Sequence, residues 1–326
     1  MKALTFDPQD NHFQIRELPA PEPGPQDVLL EVEACGLNPI DAKIRAWKST
    51  FQAAHKIWVP GLDVSGRIVS LGSAVSGWKV GQRVLCHGNM FRPHGGFAET
   101  CIQDAAIIIP HPDLPAAQAA ATPCAGWTAW RAIHDKLRAN AQDSILITGG
   151  SGGVGSFAIQ IAQYLGLKTI IATCSAKNRE YVISLGATDV IDYHAENISE
   201  RVLQITGRRG VTLGLDTVGA DNDIAVANAL AYEGRMVELV DTLRPAEYKD
   251  AFQKGLGFQQ LSLGSGHRYG KPAQQAMVEA GTAFSALVEQ GLIRVTNLTT
   301  ISMPEVAPAL DEMLAQRTVG KIVMLA

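Results

Sequence analysis

The sequence predicts an α/β protein: a doubly wound parallel sheet joined to a β-rich domain. Three observations predict it. Short period-two segments broken by glycine turns fill the first hundred residues. From Ser144 onward, strand-like and helix-like segments alternate about every 20 to 25 residues. At the first strand-to-helix junction stands a glycine-rich turn, Gly150-Ser151-Gly152-Gly153-Val154-Gly155.

Beyond Pro19, Pro21, Pro23 and Pro25, the residues Val28, Leu30, Val32 and Ala34 alternate with Leu29, Glu31 and Glu33, the pattern of a half-buried strand. Short strands follow at Val64–Val69, Arg83–Cys86 and Phe97–Cys101. Several such strands with frequent turns suggest a small barrel or sandwich. The character changes near Pro123. Ser144–Thr148 is apolar and too short for a helix. Phe157, Ala158, Ile161, Ala162 and Leu165 then share one helical face, with Gly166 in the stop position. Lys168–Thr173 is the next strand, and the helix carrying Tyr181, Val182 and Leu185 ends at Gly186. Val190-Ile191, Thr212–Asp216, Arg235–Val240 and Phe258–Leu263 continue the strands. This alternation implies a parallel sheet with right-handed crossovers. Ala273–Gln290 reads as a further helix and Gly320–Leu325 as a closing strand. A doubly wound sheet is complete at its sixth strand, so this last part is expected to pack back on the first domain.

The chain has 326 residues, 46% hydrophobic and 18% charged, with a formal net charge of -4. That balance excludes a disordered chain and argues against nucleic acid or an anionic membrane as partner. No apolar run approaches the roughly 18 residues of a span, and the first residues break their apolar run at once, unlike a signal peptide. Cys35, Cys86, Cys101, Cys124 and Cys174 are scattered without a Cys-x-x-Cys pair, which supports neither a disulfide framework nor a four-cysteine zinc site. A cytoplasmic protein acting on a small molecule is expected.

Gly150-Ser-Gly152-Gly-Val-Gly155 matches the dinucleotide fingerprint, and its strand-turn-helix context is what the motif requires. Gly152 lets the backbone approach a pyrophosphate, Gly155 lets helix and strand pack closely, and the helix N-terminus supplies amide donors. An acid that would hold an unphosphorylated ribose is missing after the second strand, whose end reads Cys174-Ser175-Ala176-Lys177-Asn178-Arg179. A hydroxyl and two cations suit a 2′-phosphate, so NADPH is the expected cofactor.

These residues, with Gly36-Leu-Asn38-Pro-Ile-Asp41, Pro60-Gly-Leu-Asp63-Val-Ser-Gly66, Gly77-Trp-Lys-Val-Gly81-Gln-Arg-Val84, Gly95-Gly-Phe-Ala-Glu99, Trp127-Thr-Ala-Trp130, Asp216-Thr-Val-Gly219 and Gly320-Lys-Ile-Val323, resemble the medium-chain dehydrogenase/reductase superfamily in its zinc-free quinone oxidoreductase-like branch. The resemblance spans essentially the whole chain. It implies a GroES-like β-barrel domain (1–123 and 266–326) interrupted by a Rossmann domain (124–265). Zinc members carry a Cys ligand near an early strand end and a later Gly-His-Glu segment. Here Cys35 precedes Gly36, while the later segment reads Gly61-Leu62-Asp63, so no metal is expected. A zinc site would need Cys35, Cys86, His87, His94 or Cys101 to converge; otherwise His87 and His94 line a site loop or face solvent.

The resemblance further implies that Asn38 lies beside the nicotinamide ribose and the reaction pocket. Thr128 would contact the nicotinamide end, Tyr193 would pack near the 2′-phosphate with Ser175 and Lys177, and Val218 and Val240 would flank the cofactor. Each has a plainer reading. Asn38-Pro39 initiates turns, Asp41 caps the next helix, and Tyr193 is also an ordinary sheet-end residue. Trp47 either stacks on a flat substrate or belongs to a core or interface, and Arg317 would add positive charge at the pocket rim. The expected reaction is hydride transfer from NADPH to a quinone or α,β-unsaturated carbonyl compound. The rivals are an enoyl-thioester reductase, a zinc-type alcohol dehydrogenase, and an NADPH-binding redox sensor or structural protein. The strand Phe258–Leu263 is an edge that would pair two copies into a homodimer.

Overall fold

Apolar residues at every second position make Asp27–Gly36 the longest strand of the protein, with Val28, Leu30, Val32 and Ala34 all buried. The structure, a computed structural model, describes residues 1–50, 57–315 and 318–326, and of 47–50 only the backbone. Arg317 and the side chain of Trp47 therefore lie outside the described residues. In chain order the strands are β1 (Lys2–Asp7), β2 (His12–Glu17), β3 (Asp27–Gly36), β4 (Asp63–Leu71), β5 (Arg83–His87), β6 (Thr100–Asp104), β7 (Ile108–Pro110), β8 (Ser144–Ile147), β9 (Thr169–Cys174), β10 (Asp189–Asp192), β11 (Val211–Asp216), β12 (Leu230–Glu238), β13 (Gly257–Gln260), β14 (Leu298–Ile301) and β15 (Lys321–Leu325).

The chain forms two units, one of Met1–Trp127, Leu263–Gly291 and Val295–Ala326, the other of Thr128–Ser262 and Leu292–Arg294. In the first, a seven-stranded sheet runs β14-β15-β3-β4-β5-β7, with β6 also on β3, and β1 pairs with β2. The strand nearest the C-terminus thus inserts beside β3, antiparallel to it and parallel to β14. Leu4, Phe6, Leu30, Trp58, Ile68 and Phe97 are among the side chains of its core. The strand expected at Phe97–Cys101 begins only at Thr100. Residues 97–99 instead cross to other partners: Leu4 N–H donates to Phe97 O, Glu99 N–H to Lys2 O, and Val32 N–H to Glu99 O.

In the second unit six parallel strands run β10-β9-β8-β11-β12-β13, the doubly wound order, with the direction of winding reversing between β8 and β11. Leu146, Ile171, Ile191, Val211 and Met236 carry its core from strand to strand. The helix Gly153–Tyr164 follows β8 and buries Phe157, Ala158, Ile161 and Ala162, the face expected from their spacing, and Gly166 beyond it takes a positive φ of 82°. The last strand is shorter than expected: β13 stops at Gln260, and Leu263–Arg268 is a 3-10 turn of the first unit. Among the described residues no helix is long and apolar enough to cross a membrane.

Candidate active site

The second unit carries the loop between β8 and its helix at the winding switch, outside the carboxyl ends of the strands, where open α/β sheets bind ligands. Gly149 has a positive φ of 65°, its N–H donates to Thr173 Oγ1 (3.1 Å), and Gly150 N–H donates to Thr173 O (2.8 Å). These bonds tie the loop to the neighbouring strand β9. A Cβ on Gly155 would come 2.2 Å from the Gly149 carbonyl oxygen. Its lack of a side chain therefore lets the helix start fold over the loop's own backbone, rather than bringing helix and strand together as expected. A Cβ on Gly152 would meet only Gly149 O, at 3.3 Å, which leaves the loop's outer side open to a ligand. Gly153 and Val154 begin the helix and are partly exposed there, with their amides at its N-terminus.

Of the residues expected on the adenosine side, Ser175 and Lys177 lie just beyond β9 and Tyr193 just beyond β10. Ser175 precedes a short 3-10 turn with Lys177 exposed in it, and Asn178 Nδ2 donates to Ser151 Oγ (3.2 Å), linking this turn to the glycine loop. Arg179 is spent on structure, donating to Val190 O (2.9 Å) on β10. Tyr193, 48% exposed, leans on the His194 ring with centroids 4.3 Å apart. Thr128 is buried at the start of a short helix. Val218 and Val240 stand just past β11 and β12, each held by a carboxylate two residues earlier. Val218 N–H donates to Asp216 Oδ1 (2.9 Å) and Val240 N–H to Glu238 Oε1 (2.7 Å).

The first unit holds a buried polar cluster that sequence reasoning did not assemble. Asn38 is 1% exposed and both ends of its amide are engaged: Oδ1 accepts from Lys321 Nζ (2.6 Å) and Nδ2 donates to Asp63 Oδ2 (2.9 Å). The amide is therefore fixed rather than free. Asp41 does not cap a following helix: it lies inside the short helix Pro39–Ala42, whose N-cap is Asn38, and accepts from Asn38 N–H (2.9 Å) in a capping box and from Gly61 N–H (3.2 Å). Burial, then the nearby Asp63 carboxylate, pushes the Asp41 carboxyl up to about 7.

His87 does not face solvent. It is buried, and its Nδ1 lies 2.9 Å from Asp63 Oδ1. The His267 ring stacks at 6.2 Å from it, with a basicity lowered to about 4 by burial and by His87. A small cavity of about 30 Å³ in this unit is lined mainly by apolar side chains, among them Ile40, Ile44, Leu62, Met90 and Ile102, with His94 at its wall.

Metal chemistry has one candidate set. Among the described residues, possible ligand atoms of Asp63, His87 and Cys124 lie within 4.8 Å of one another. Of the five residues that a zinc site would have needed to bring together, only His87 belongs to it; Asp63, in the segment read from sequence as unable to bind, supplies an oxygen. The set does not fit a metal ion. Asp63 Oδ1 already faces His87 Nδ1 and accepts from Cys124 N–H (2.9 Å), and Oδ2 accepts from Asn38 Nδ2 and from Cys124 N–H (3.0 Å). The Lys321 ammonium is 3.9 Å from Oδ2, where a dication would meet like charge. Burial, then Asp63, raises the Cys124 thiol above its usual range.

A chain of two units, one of them a doubly wound sheet with a glycine-rich loop at its winding switch, has the build of an oxidoreductase with a nucleotide cofactor. The comparisons place it: the chain belongs to the medium-chain dehydrogenase/reductase superfamily, among its quinone oxidoreductase-like members. The family model "Alcohol dehydrogenase GroES-like domain" matches residues 24–113, and "Zinc-binding dehydrogenase" matches 153–278. The chain is 29% identical over 311 residues to the quinone oxidoreductase of Mus musculus, covering 94% of this chain and 91% of that protein. It is similar to the structure of a Pseudomonas syringae quinone oxidoreductase, at TM-score 0.87 and 25% identity over 100% of this chain and 99% of that one. It is likewise similar to an alcohol dehydrogenase superfamily protein from Novosphingobium aromaticivorans, at TM-score 0.88 and 29% identity with the same coverage.

Proposed function

We propose that the protein is an NADPH-dependent, zinc-independent reductase that transfers hydride to quinones or α,β-unsaturated carbonyl compounds. The observation that carries this reading is the commitment of both Asp63 oxygens to hydrogen bonds, one of them facing His87, beside the Lys321 ammonium. A reaction at such a site has no Lewis acid to polarise an unactivated ketone, whereas a conjugated acceptor takes hydride readily at carbon. Relatives named quinone oxidoreductase, matched over nearly the whole chain, point the same way.

When bound, NADPH would supply the hydride from C4 of its nicotinamide. The protein's share is binding, orientation and exclusion of water. The loop amides of Gly150 to Val154 would hold the pyrophosphate, and Ser175 and Lys177 would take the 2′-phosphate with Tyr193 beside it. Val218, Val240 and Thr128 would line the nicotinamide end. Asn38, fixed by Lys321 and Asp63, would orient the ribose. Homodimer formation through the open edge of β13 belongs to the same reading. NADPH and NADH oxidation should be followed with 1,4-quinones and enals, with and without a chelator. NADPH-linked turnover indifferent to the chelator is expected; tight cofactor binding with no turnover on any acceptor would overturn the enzyme reading.

A further inference from the structure

Two acids of the second unit face one another without a cation between them. Asp216 and Glu238 are the last residues of β11 and β12 and are partners in the register of these adjacent parallel strands. Both are buried. Each commits one oxygen to the turn that follows its strand. Asp216 Oδ1 accepts from Thr148 Oγ1 (2.6 Å), Val218 N–H (2.9 Å) and Gly219 N–H (3.3 Å). Glu238 Oε1 accepts from Val240 N–H (2.7 Å) and Asp241 N–H (2.9 Å). The other oxygens, Asp216 Oδ2 and Glu238 Oε2, are buried and have no hydrogen-bond donor among the described residues.

Ionised carboxylates only accept, so two such oxygens in one dry place are stable only if a proton lies between them. We propose that Glu238 is a neutral acid that donates its proton to Asp216 Oδ2, and that this shared proton is what positions the base of the dinucleotide loop. The path is short. Asp216 holds the Thr148 hydroxyl, Thr148 Oγ1 accepts from Thr217 N–H (3.0 Å), and Thr217 Oγ1 donates back to Thr148 O (2.8 Å), the residue before Gly149. Glu238 is thus a positioning residue that acts through Asp216.

Burial, followed by the Asp216 carboxylate, pushes Glu238 up to about 8. The other titratable groups nearby do not neutralise the pair. Tyr248 donates to Asp223 (2.8 Å), Asp223 is ion-paired with Arg244, and Asp241 accepts from Ala220 N–H (2.8 Å). Loss of the proton would set two anions against each other at the ends of β11 and β12. The turns bearing Val218 and Val240 would separate, and the loop's footing on Asp216 would loosen.

The inference rests on the reading that this loop holds NADPH, and its test keeps the two apart. Infrared spectra of the full-length apoprotein read the proton directly. Besides the Asp41 carboxyl, raised to about 7, one further protonated-carboxyl band should disappear on raising the pH through about 8, and that further band should be missing in both Glu238→Gln and Asp216→Asn. NADPH affinity, measured by fluorescence from pH 6 to 9, should fall about tenfold between pH 7 and 9 in the natural protein, in step with loss of the proton. Glu238→Gln should bind within about twofold of the natural protein at pH 7 and show no such fall, because its amide donates to Asp216 at every pH. Asp216→Asn supplies the same donor from the other side and serves if the glutamine variant fails to fold. Spectra unchanged by both substitutions, or a variant that keeps the alkaline fall in affinity, would overturn the proposal. Band changes as expected with no NADPH binding at any pH would instead refute the cofactor reading while leaving the shared proton intact.

Discussion

Replacing Lys321 with methionine keeps the stem of the side chain and removes its charge. The ammonium is 4% exposed, donates to Asn38 Oδ1 (2.6 Å) and Leu37 O (3.1 Å), and sits 3.9 Å from Asp63 Oδ2. At that separation the attraction is about 4 kcal/mol in an effective dielectric of ~20. Removing one partner of a buried pair typically costs about 3–5 kcal/mol, because the other charge stays buried and unpaired. A loss of about 4 kcal/mol at pH 7 is therefore expected. It would be read by denaturant unfolding of the apoprotein, with hydrogen exchange in β3 and β15 to assign the loss to the first unit.

The loss should also depend on pH in a definite sense. The Asp41 carboxyl, already raised to about 7 by burial and Asp63, loses the cation that opposes that rise. A carboxyl raised in the folded state favours folding fully below its unfolded value near 4, and that contribution disappears as pH climbs through the folded value. Lys321→Met should accordingly be less damaging at pH 5 than at pH 8, and Asp63→Asn in the same chain should restore part of the loss. A deficit under about 1 kcal/mol, or one identical at pH 5 and 8, would refute the account of Lys321 as counter-ion to the buried acids.

Gly155→Ala places a Cβ against the Gly149 carbonyl oxygen, so the loop has to shift; NADPH titration should show binding weakened at least about tenfold, and an unchanged affinity would mean the loop is not the binding element. Lys177→Ala should weaken NADPH by about 10- to 100-fold, the worth of one charged hydrogen bond, and leave NADH alone; equal loss for both cofactors would remove Lys177 from the 2′-phosphate site. Elemental analysis of purified protein should find no stoichiometric zinc, and one ion per chain would refute the zinc-independent reading of the Asp63–His87–Cys124 set.

The glycine loop was legible because its requirements are local. Glycines at fixed offsets between a strand and a helix describe their own surroundings, and Gly149 and Gly155 behave as backbone positions where a side chain is strained or excluded. The same holds for β3, where alternation along one strand reveals the buried face. The polar cluster was not legible. Asn38 meets Asp63 25 residues away and Lys321 283 residues away, and no periodicity links positions joined only by strand order. Cys35 attracted attention by its place beside Gly36, yet the cysteine that reached the cluster is Cys124. Glu238 did leave a signal, an acid inside the apolar run Met236-Val237-Glu238-Leu239-Val240. Without the register of β11 against β12, nothing tied it to Asp216.

The position of β15 governs the order in which the protein is built. On a ribosome, β3 and the acids beside it emerge early, while the strand that pairs with Ala34–Gly36 and carries Lys321 follows only after the whole parallel sheet has been synthesised. In that interval the end of β3 offers unpaired backbone groups, and Asp41 and Asp63 await their cation. The six-stranded unit has all its strands in hand and is free to fold first. The first unit therefore completes its sheet last, and closing that sheet across so long a stretch of chain is the step expected to limit the rate of maturation.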